Sequence, residues 1–391
     1  MTKQKQSCCG GNKKEAASSC CGQAAAETTE SCSCGGPVKE ITEFRSFCTS
    51  GSIKTPASKV PVVSPKLCIT DLLGNFLVRF GFNRNNYAVK PGLYAVGSPD
   101  KKSPVLVSAN YKMSFDALRK ELTGLDAWIL VIDSKGVNVW CAAGKGTFGT
   151  AELVNRIKNV KLDKIVEKRE VIVPQLGAPG VEAHLVRKGS GFKVIFGPVE
   201  AWDIKAFLAS GMKASEAQRS VTFGLFKRLE VTGIEFVTAI QIMLGVSALS
   251  VIAASFTKTG FSLAVGFTNA SLFIAALFLA ALSATVIPAA LLPVLPGRMF
   301  SVKGAVAGLI TSAIFVYFSH LSILTGISTV LLSASLASFV FMNYTGTSTF
   351  TSLTAVRKEI AVSVPVMIAA AVIGVALQII DFVLKGAIIW N

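Results

Sequence analysis

The chain has 391 residues, 51% of them hydrophobic, and a formal net charge of +16. Its mean hydropathy is +0.55. No single globular fold suits those values, because the charge is unevenly spread: residues 1–230 hold 33 of the 39 Lys and Arg and 20 of the 23 Asp and Glu. A basic polar half followed by a membrane half is expected.

Residues 1–58 carry Cys8-Cys9, Cys20-Cys21, Cys32, Cys34 and Cys48 among Gly, Ser, Ala, Lys and Glu. That composition cannot bury a core, so this stretch reads as a disordered tail. It has no Cys-x-x-Cys, the spacing a structural zinc site or an iron–sulfur cluster would use. Neighbouring thiols on a flexible chain suit a soft ion such as Hg(II). Cys8, Cys9, Cys20, Cys21, Cys32 and Cys34 are therefore candidate capture ligands. An inert low-complexity tail is the alternative.

Residues 59–228 read as α/β. Strands are expected over Val105–Ala109, Trp128–Asp133, Val137–Trp140, Val171–Pro174 and Phe192–Phe196. Helices are expected over Ser114–Leu122 (with Ser114 as N-cap), Gly149–Lys158, Val181–Lys188 and Ala201–Ser210. This alternation predicts a doubly wound, Rossmann-like sheet, whose ligands sit at the carboxyl ends of the strands. No P-loop occurs, which disfavours a nucleotide held in that way. The basic residues are scattered without interleaved aromatics, so no nucleic acid is expected; anionic lipid is a simpler reason for the charge.

Within this half, Cys141 is expected at a strand-to-helix corner, followed by the small Ala142, Ala143 and Gly144. Such a corner lets a large flat ligand approach the backbone. The soft sulfur could ligate a transition metal, or simply act as a small hydrophobe. His184 and His320 are too far apart in the chain to suggest a shared site, and no GxSxG elbow is present.

Residues 229–391 contain five candidate spans: 233–255, 263–287, 305–324, 327–344 and 360–384. Each is near the roughly 20 apolar residues a bilayer requires. Gly, Ala and Ser recur throughout, which predicts close helix packing. Pro288, Pro293 and Pro296 are expected to break the chain after the second span, and Pro365 falls in the first turn of the fifth. Lys227, Arg228, Arg298, Lys303, Arg357 and Lys358 fall on the side of the N-terminal half; only Lys258 and Lys385 fall opposite. The expected topology is multi-pass in the inner (cytoplasmic) membrane, with the N-terminal half cytoplasmic and no signal peptide. Glu235 and Asp381 are the acids expected within or beside the spans. So few intramembrane ionisable groups weigh against a metal transporter or sensor, which stands as an alternative.

Asn138-Val139-Trp140-Cys141-Ala142-Ala143-Gly144-Lys145, with Gly146 and Phe148 after it, closely resembles the cap-helix motif of the HgcA family, the corrinoid proteins of the bacterial and archaeal mercury-methylation pair. Pro174-Gln175-Leu176-Gly177-Ala178-Pro179-Gly180 is similar to that family's second loop. Phe341-Met342-Asn343-Tyr344-Thr345-Gly346 and the run Ser348 to Ser352 are similar to part of its membrane domain. The resemblance implies a corrinoid (cobalamin-type) domain like that of corrinoid iron–sulfur protein large subunits. Asn138 to Lys145 and Gly177, Ala178, Pro179 and Gly180 would bind the cofactor, with Ala142, Ala143 and Gly144 against the corrin face. The Cys141 thiolate would be the lower axial ligand of the cobalt. The implied activity is corrinoid-dependent methyl transfer to Hg(II), forming methylmercury. It implies a ferredoxin-like iron–sulfur protein as reductant and a partner methyltransferase with a methylated folate-type donor. A methyl carrier for another acceptor is the alternative within that chemistry.

Overall fold

The computed structural model describes residues 49–257, 260–295, 298–347 and 353–384. Cys8, Cys9, Cys20, Cys21, Cys32, Cys34 and Cys48, Lys258, Lys385 and the run from Ser348 to Ser352 lie outside the described residues.

The α/β half runs β1 (Thr49–Lys54), β2 (Lys59–Val63), α1 (Ile69–Arg79), β3 (Gly92–Val96), β4 (Val105–Ala109), α2 (Lys112–Glu121), β5 (Ala127–Ile132), α3 (Val139–Gly144) and α4 (Thr150–Asn159). It continues through β6 (Glu170–Val173), α5 (Ala183–Ser190), β7 (Lys193–Phe196), α6 (Ile204–Ala209), α7 (Glu216–Arg219) and α8 (Leu225–Glu230). Seven strands form one sheet in the order β1-β2-β3-β5-β4-β6-β7. The run β5-β4-β6-β7 is parallel. β3 is antiparallel to β5, and β1 and β2 form a hairpin at the edge. The sheet is therefore mixed, with the wound arrangement confined to its parallel part.

Every residue of β4 and β5 is buried, as a strand covered on both faces requires. One face packs against α3, α4 and α5 through Ala142, Phe148, Leu153, Ile157 and Val186. The other packs against α2 and α6 through Phe115, Leu122, Ile204 and Phe207.

Several expectations are corrected. Thr49–Lys54 form β1, inside the stretch read as tail. Val137–Trp140 forms no strand: Val139 begins α3, capped by Asn138. Ser114 is not an N-cap, because α2 already starts at Lys112 after Tyr111. Residues 201–210 divide into a 3-10 turn, Ala201–Asp203, and α6.

Helix α1 was not anticipated, because its pattern is inverted. Its buried residues are Asp71, Asn75 and Val78, while Leu72, Leu73 and Phe76 are exposed. Asp71 is held by α2: Lys112 Nζ lies 2.5 Å and Arg119 Nη2 2.6 Å from its carboxylate. Both cations also meet Asp116, at 2.6 and 2.7 Å. All four side chains are at most 1% exposed. Desolvation would push the Arg119 guanidinium down, but Asp116 and Asp71 hold it above its usual value.

The helical half comprises α9 (Gly233–Ala254), a two-residue hairpin of β8 (Phe256–Thr257) and β9 (Gly260–Phe261), α10 (Leu263–Ala290), α11 (Phe300–Ser319), α12 (Ile323–Asn343) and α13 (Leu353–Leu384). These five helices are long and apolar enough to cross a membrane. Their bounds move from the expected ones. α11 and α12 begin five and four residues earlier, at Phe300 rather than 305 and Ile323 rather than 327. Pro288 lies inside α10 instead of ending it. Pro365 lies well inside α13, which starts at Leu353.

Helices α11 and α12 approach at backbone distance. A Cβ on Gly304 would fall 2.3 Å from Ala337 O, and one on Gly308 would fall 2.8 Å from Ser333 O. Small residues are thus required at this crossing.

The bundle buries one acid more than expected, Glu359, which joins Glu235 and Asp381. Ser301 N donates to Glu359 Oε1 at 2.6 Å at the start of α11. Ser322 and Thr325 hydroxyls donate to Asp381 at 2.8 and 2.6 Å at the start of α12. Lys303 Nζ donates to Leu292 O and Leu295 O, just past α10. These three ions serve helix ends, where backbone groups lack partners.

The two halves touch around α8. From the helical half Tyr344 Oη donates to Arg228 O at 2.9 Å, while Glu230 of the same α8 pairs with Arg79 of α1 at 2.5 Å.

Candidate functional site at the Cys141 helix

The site starts from a loop fixed by one buried amide. Asn110, at the end of β4, is fully buried. Its Oδ1 accepts from Ser134 N at 3.1 Å and Gly136 N at 2.9 Å, and lies 2.7 Å from Ser134 Oγ. This holds the turn after β5, where Gly136 has φ +70. Asp133 anchors the same turn, accepting from Lys135 N and Nζ at 2.9 and 2.7 Å. Burial alone would raise the Asp133 carboxyl, but these hydrogen bonds hold it below the usual carboxylate range.

From this turn Asn138 starts α3. Its side chain accepts from Cys141 N at 2.9 Å, so the capped backbone donor belongs to the cysteine itself. Such a cap is worth about 1 kcal/mol. The helix then divides its residues by face. Ala142 and Ala143 are 0% and 4% exposed, and both belong to the sheet core with Phe148. Cys141, Gly144 and Lys145 are exposed, and Trp140 is 44% exposed. The expectation that Ala142 and Ala143 face the ligand side is thereby corrected: they turn inward, because a six-residue helix laid on the sheet needs small residues beneath it.

The second motif loop packs beneath this helix. A Cβ on Gly180 would fall 2.2 Å from Phe148 O and 3.1 Å from Ala143 Cα. A Cβ on Gly177 would fall 2.6 Å from Phe148 Cε1. Thr150 N donates to Gly180 O at 3.1 Å. The two segments singled out in the sequence are therefore brought together, with glycine where their backbones meet. Of the second loop, Gly177 is buried, Ala178 and Gly180 are half-buried, and Pro179 is exposed.

A cavity of about 680 Å³ opens beside α3. Asn138, Val139 and Trp140 border it, and Ser108, Pro174 and Gly197 contribute from the carboxyl ends of the neighbouring strands. It lies where the connections after β4 and β6 leave for opposite faces, the usual ligand crevice of a wound sheet. Among the described residues, no group of three or more His, Cys, Asp or Glu is gathered as a metal site. His184 is exposed, with its nearest carboxylate, Glu182, 3.9 Å away.

Sequence reasoning missed Asn110, and it did not foresee that Phe148 would be the floor between the two loops. An Asn ending a buried apolar strand was the available signal for the first.

Comparison with known proteins points to the same stretch. Residues 80–208 match the family described as CO dehydrogenase/acetyl-CoA synthase delta subunit. An acetyl-CoA decarbonylase/synthase complex subunit gamma from Archaeoglobus fulgidus is 27% identical over 135 residues, 34% of this chain and 28% of the relative. The corresponding gamma subunit of Methanopyrus kandleri is 28% identical over 156 residues, covering 39% and 31%. The corrinoid/iron-sulfur protein large subunit of Moorella thermoacetica is 28% identical over 152 residues, covering 37% and 34%. The chain spans about a third of the length of these relatives. The family match includes both motif loops and ends before the helical half.

Proposed function

We propose that this chain is a membrane-anchored corrinoid protein that transfers a methyl group to Hg(II), with Cys141 as the lower axial ligand of the cobalt. The observation that carries the reading is the division of α3: a solvent-exposed thiol held on a capped helix whose neighbours Ala142 and Ala143 are locked into the core. The residues fit the group. The donor is a single soft sulfur, which suits a metal whose other ligands come from its own macrocycle. Beside it, an added Cβ on Gly144 or Gly146 would meet nothing within 4 Å, leaving a low face for a broad ring. The adjoining cavity gives room for a further part of a large ligand.

When bound, the corrinoid supplies a nucleophilic cobalt that can accept a methyl group and later yield it to an electrophile. The chain's own residues do the rest. Asn138 fixes the backbone of Cys141, the packing of Gly180 against Ala143 keeps the helix from tilting, and Lys145 and Pro179 edge the exposed face. The relative named as a corrinoid/iron-sulfur protein large subunit supports the cofactor. The Asn138–Lys145 octapeptide supports mercury as acceptor. Cys8, Cys9, Cys20, Cys21, Cys32 and Cys34 would gather the ion. The relatives are named as subunits of complexes, which supports protein partners. These would be a ferredoxin-like reductant and a methyltransferase with a folate-type donor. The α/β half would face the cytoplasm from the inner membrane.

The relatives' names as acetyl-CoA decarbonylase/synthase subunits favour a second reading, a methyl carrier serving another acceptor. The Cys141→Ala variant tests both. Its unfolding midpoint should match the parent, because the side chain is exposed, while the visible spectrum of the corrinoid-loaded protein changes and mercury methylation is lost. Retained methylation with an unchanged spectrum would refute the ligand role. A cysteine-dependent spectrum in a parent protein that methylates only other acceptors would select the second reading.

A further inference from the structure

The five membrane helices leave one apolar surface unexplained, and it lies in the α/β half. On α1, Ile69, Leu72, Leu73, Phe76 and Leu77 are 82%, 55%, 54%, 55% and 40% exposed. They occupy positions i, i+3, i+4, i+7 and i+8, one continuous face. The opposite face is pinned to α2 by the buried Asp71 and Asn75. The helix cannot roll over to hide its apolar side without breaking those ion pairs. Phe82, just beyond it, is 57% exposed, and Phe80 packs on Phe76 with ring centroids 4.9 Å apart. An exposed apolar face of this size marks contact with a membrane or another protein.

The chain's own geometry selects the membrane. The last turn of α1 abuts the first residue of the first spanning helix: a Cβ on Gly233 would lie 2.6 Å from Arg79 O and 3.5 Å from Phe80 Cδ1. Arg79 is paired with Glu230, three residues before α9. The end of α1 therefore sits at the level where the chain enters the bilayer. Leu225 and Phe226 of α8, next to the same entry point, are 43% and 86% exposed. In sequence the exposed Lys66 precedes the apolar face and the half-buried Arg84 follows it, and cations flanking such a face suit anionic headgroups.

We propose that α1 lies in the membrane surface, its Ile69–Leu77 face immersed at the boundary of headgroups and acyl chains. The α/β half is thus seated on the lipid as well as tethered by its spanning helices. The proposal rests on the reading of α9 to α13 as spans and is independent of the corrinoid.

The test uses the full chain in nanodiscs of phosphatidylethanolamine and phosphatidylglycerol. A small fluorescent amino acid is placed at position 72 or 76, with position 278 on α10 as a span control and position 158 on α4 as a water control. Brominated lipids should remove most of the emission at 72, 76 and 278 and spare 158; aqueous iodide should do the reverse. As an independent measurement on the unmodified protein, a phospholipid with a photoreactive acyl chain should cross-link within residues 69–77. Quenching at 72 and 76 by iodide instead of lipid would overturn the proposal. Quenching by neither would show a protein covering the face and would also overturn it. If position 278 escapes the brominated lipids, the membrane reading itself fails and this proposal fails with it.

Discussion

In the α/β half the buried charges of α1 and α2 are matched with charge, whereas in the helical half Glu359, Asp381 and Lys303 are matched with helix ends. Asp71, Asp116, Lys112 and Arg119 neutralise one another across two helices that are distant in sequence. Glu359, Asp381 and Lys303 each meet backbone groups or hydroxyls at the start or finish of a neighbouring helix. The first arrangement exists only when both helices are in place, so it makes docking of α1 all-or-none. The second needs one ion per junction and can form span by span, as each helix packs.

The contrast can be broken most directly at Arg119. Arg119→Ala leaves two buried carboxylates facing one cation, and an uncompensated buried charge costs about 3–5 kcal/mol. Denaturant unfolding of the α/β half, followed by tryptophan emission, should show a loss of that order. A loss under about 1 kcal/mol would mean that α1 is held by something other than charge. A smaller effect is expected at Asp381→Asn, since interhelical hydrogen bonds in membranes average about 0.6 and reach about 1.7 kcal/mol. Reversible unfolding of the bundle in bicelles checks this; a cost equal to that of Arg119→Ala would erase the distinction.

The smallest effect concerns Asp133, a partly exposed carboxylate in the turn before α3. Its pKa is lowered in the fold. Its stabilising contribution is therefore present above the unfolded value of about 3.9 and is lost as pH falls through the folded value. The emission of Trp140 should be constant between about pH 7 and pH 5 and change only below about pH 4. Asp133→Asn should remove that low-pH step. A transition near neutral pH in the parent would point to another group.

The sequence exposes what local pattern controls. β5 is an unbroken apolar run and β4 is interrupted only by Ser108, and the spans are visible from length alone. Helix α1 was hidden because its inward polar residues answer to Lys112 and Arg119, 41 and 48 positions after Asp71, beyond any window of periodicity. Val137–Trp140 looks like a strand because Val and Trp favour one, yet Asn138 three residues before Cys141 is an N-cap, and the cap prevailed. The early start of α11 was obscured by Lys303, which hydropathy rejects from a span but which the carbonyls of Leu292 and Leu295 accommodate. At the site, the pairing of the two motif loops came from resemblance, whereas the inward turn of Ala142 and Ala143 required three-dimensional packing to see. Asn110 offered no motif.

The hydrogen bond from Tyr344 to the Arg228 carbonyl has a consequence for encounter. Tyr344 stacks on Phe341 at 5.0 Å between ring centroids and so belongs to the rigid end of α12, while Arg228 belongs to the short helix leading out of the α/β half. This hydrogen bond ties the orientation of α8 to the end of α12. A soluble partner, if the proposed function holds, would then meet a target of more nearly fixed attitude. The orientational search that ordinarily slows docking of two specific patches falls mainly on the partner, and a partner itself confined to the membrane surface would shorten it again.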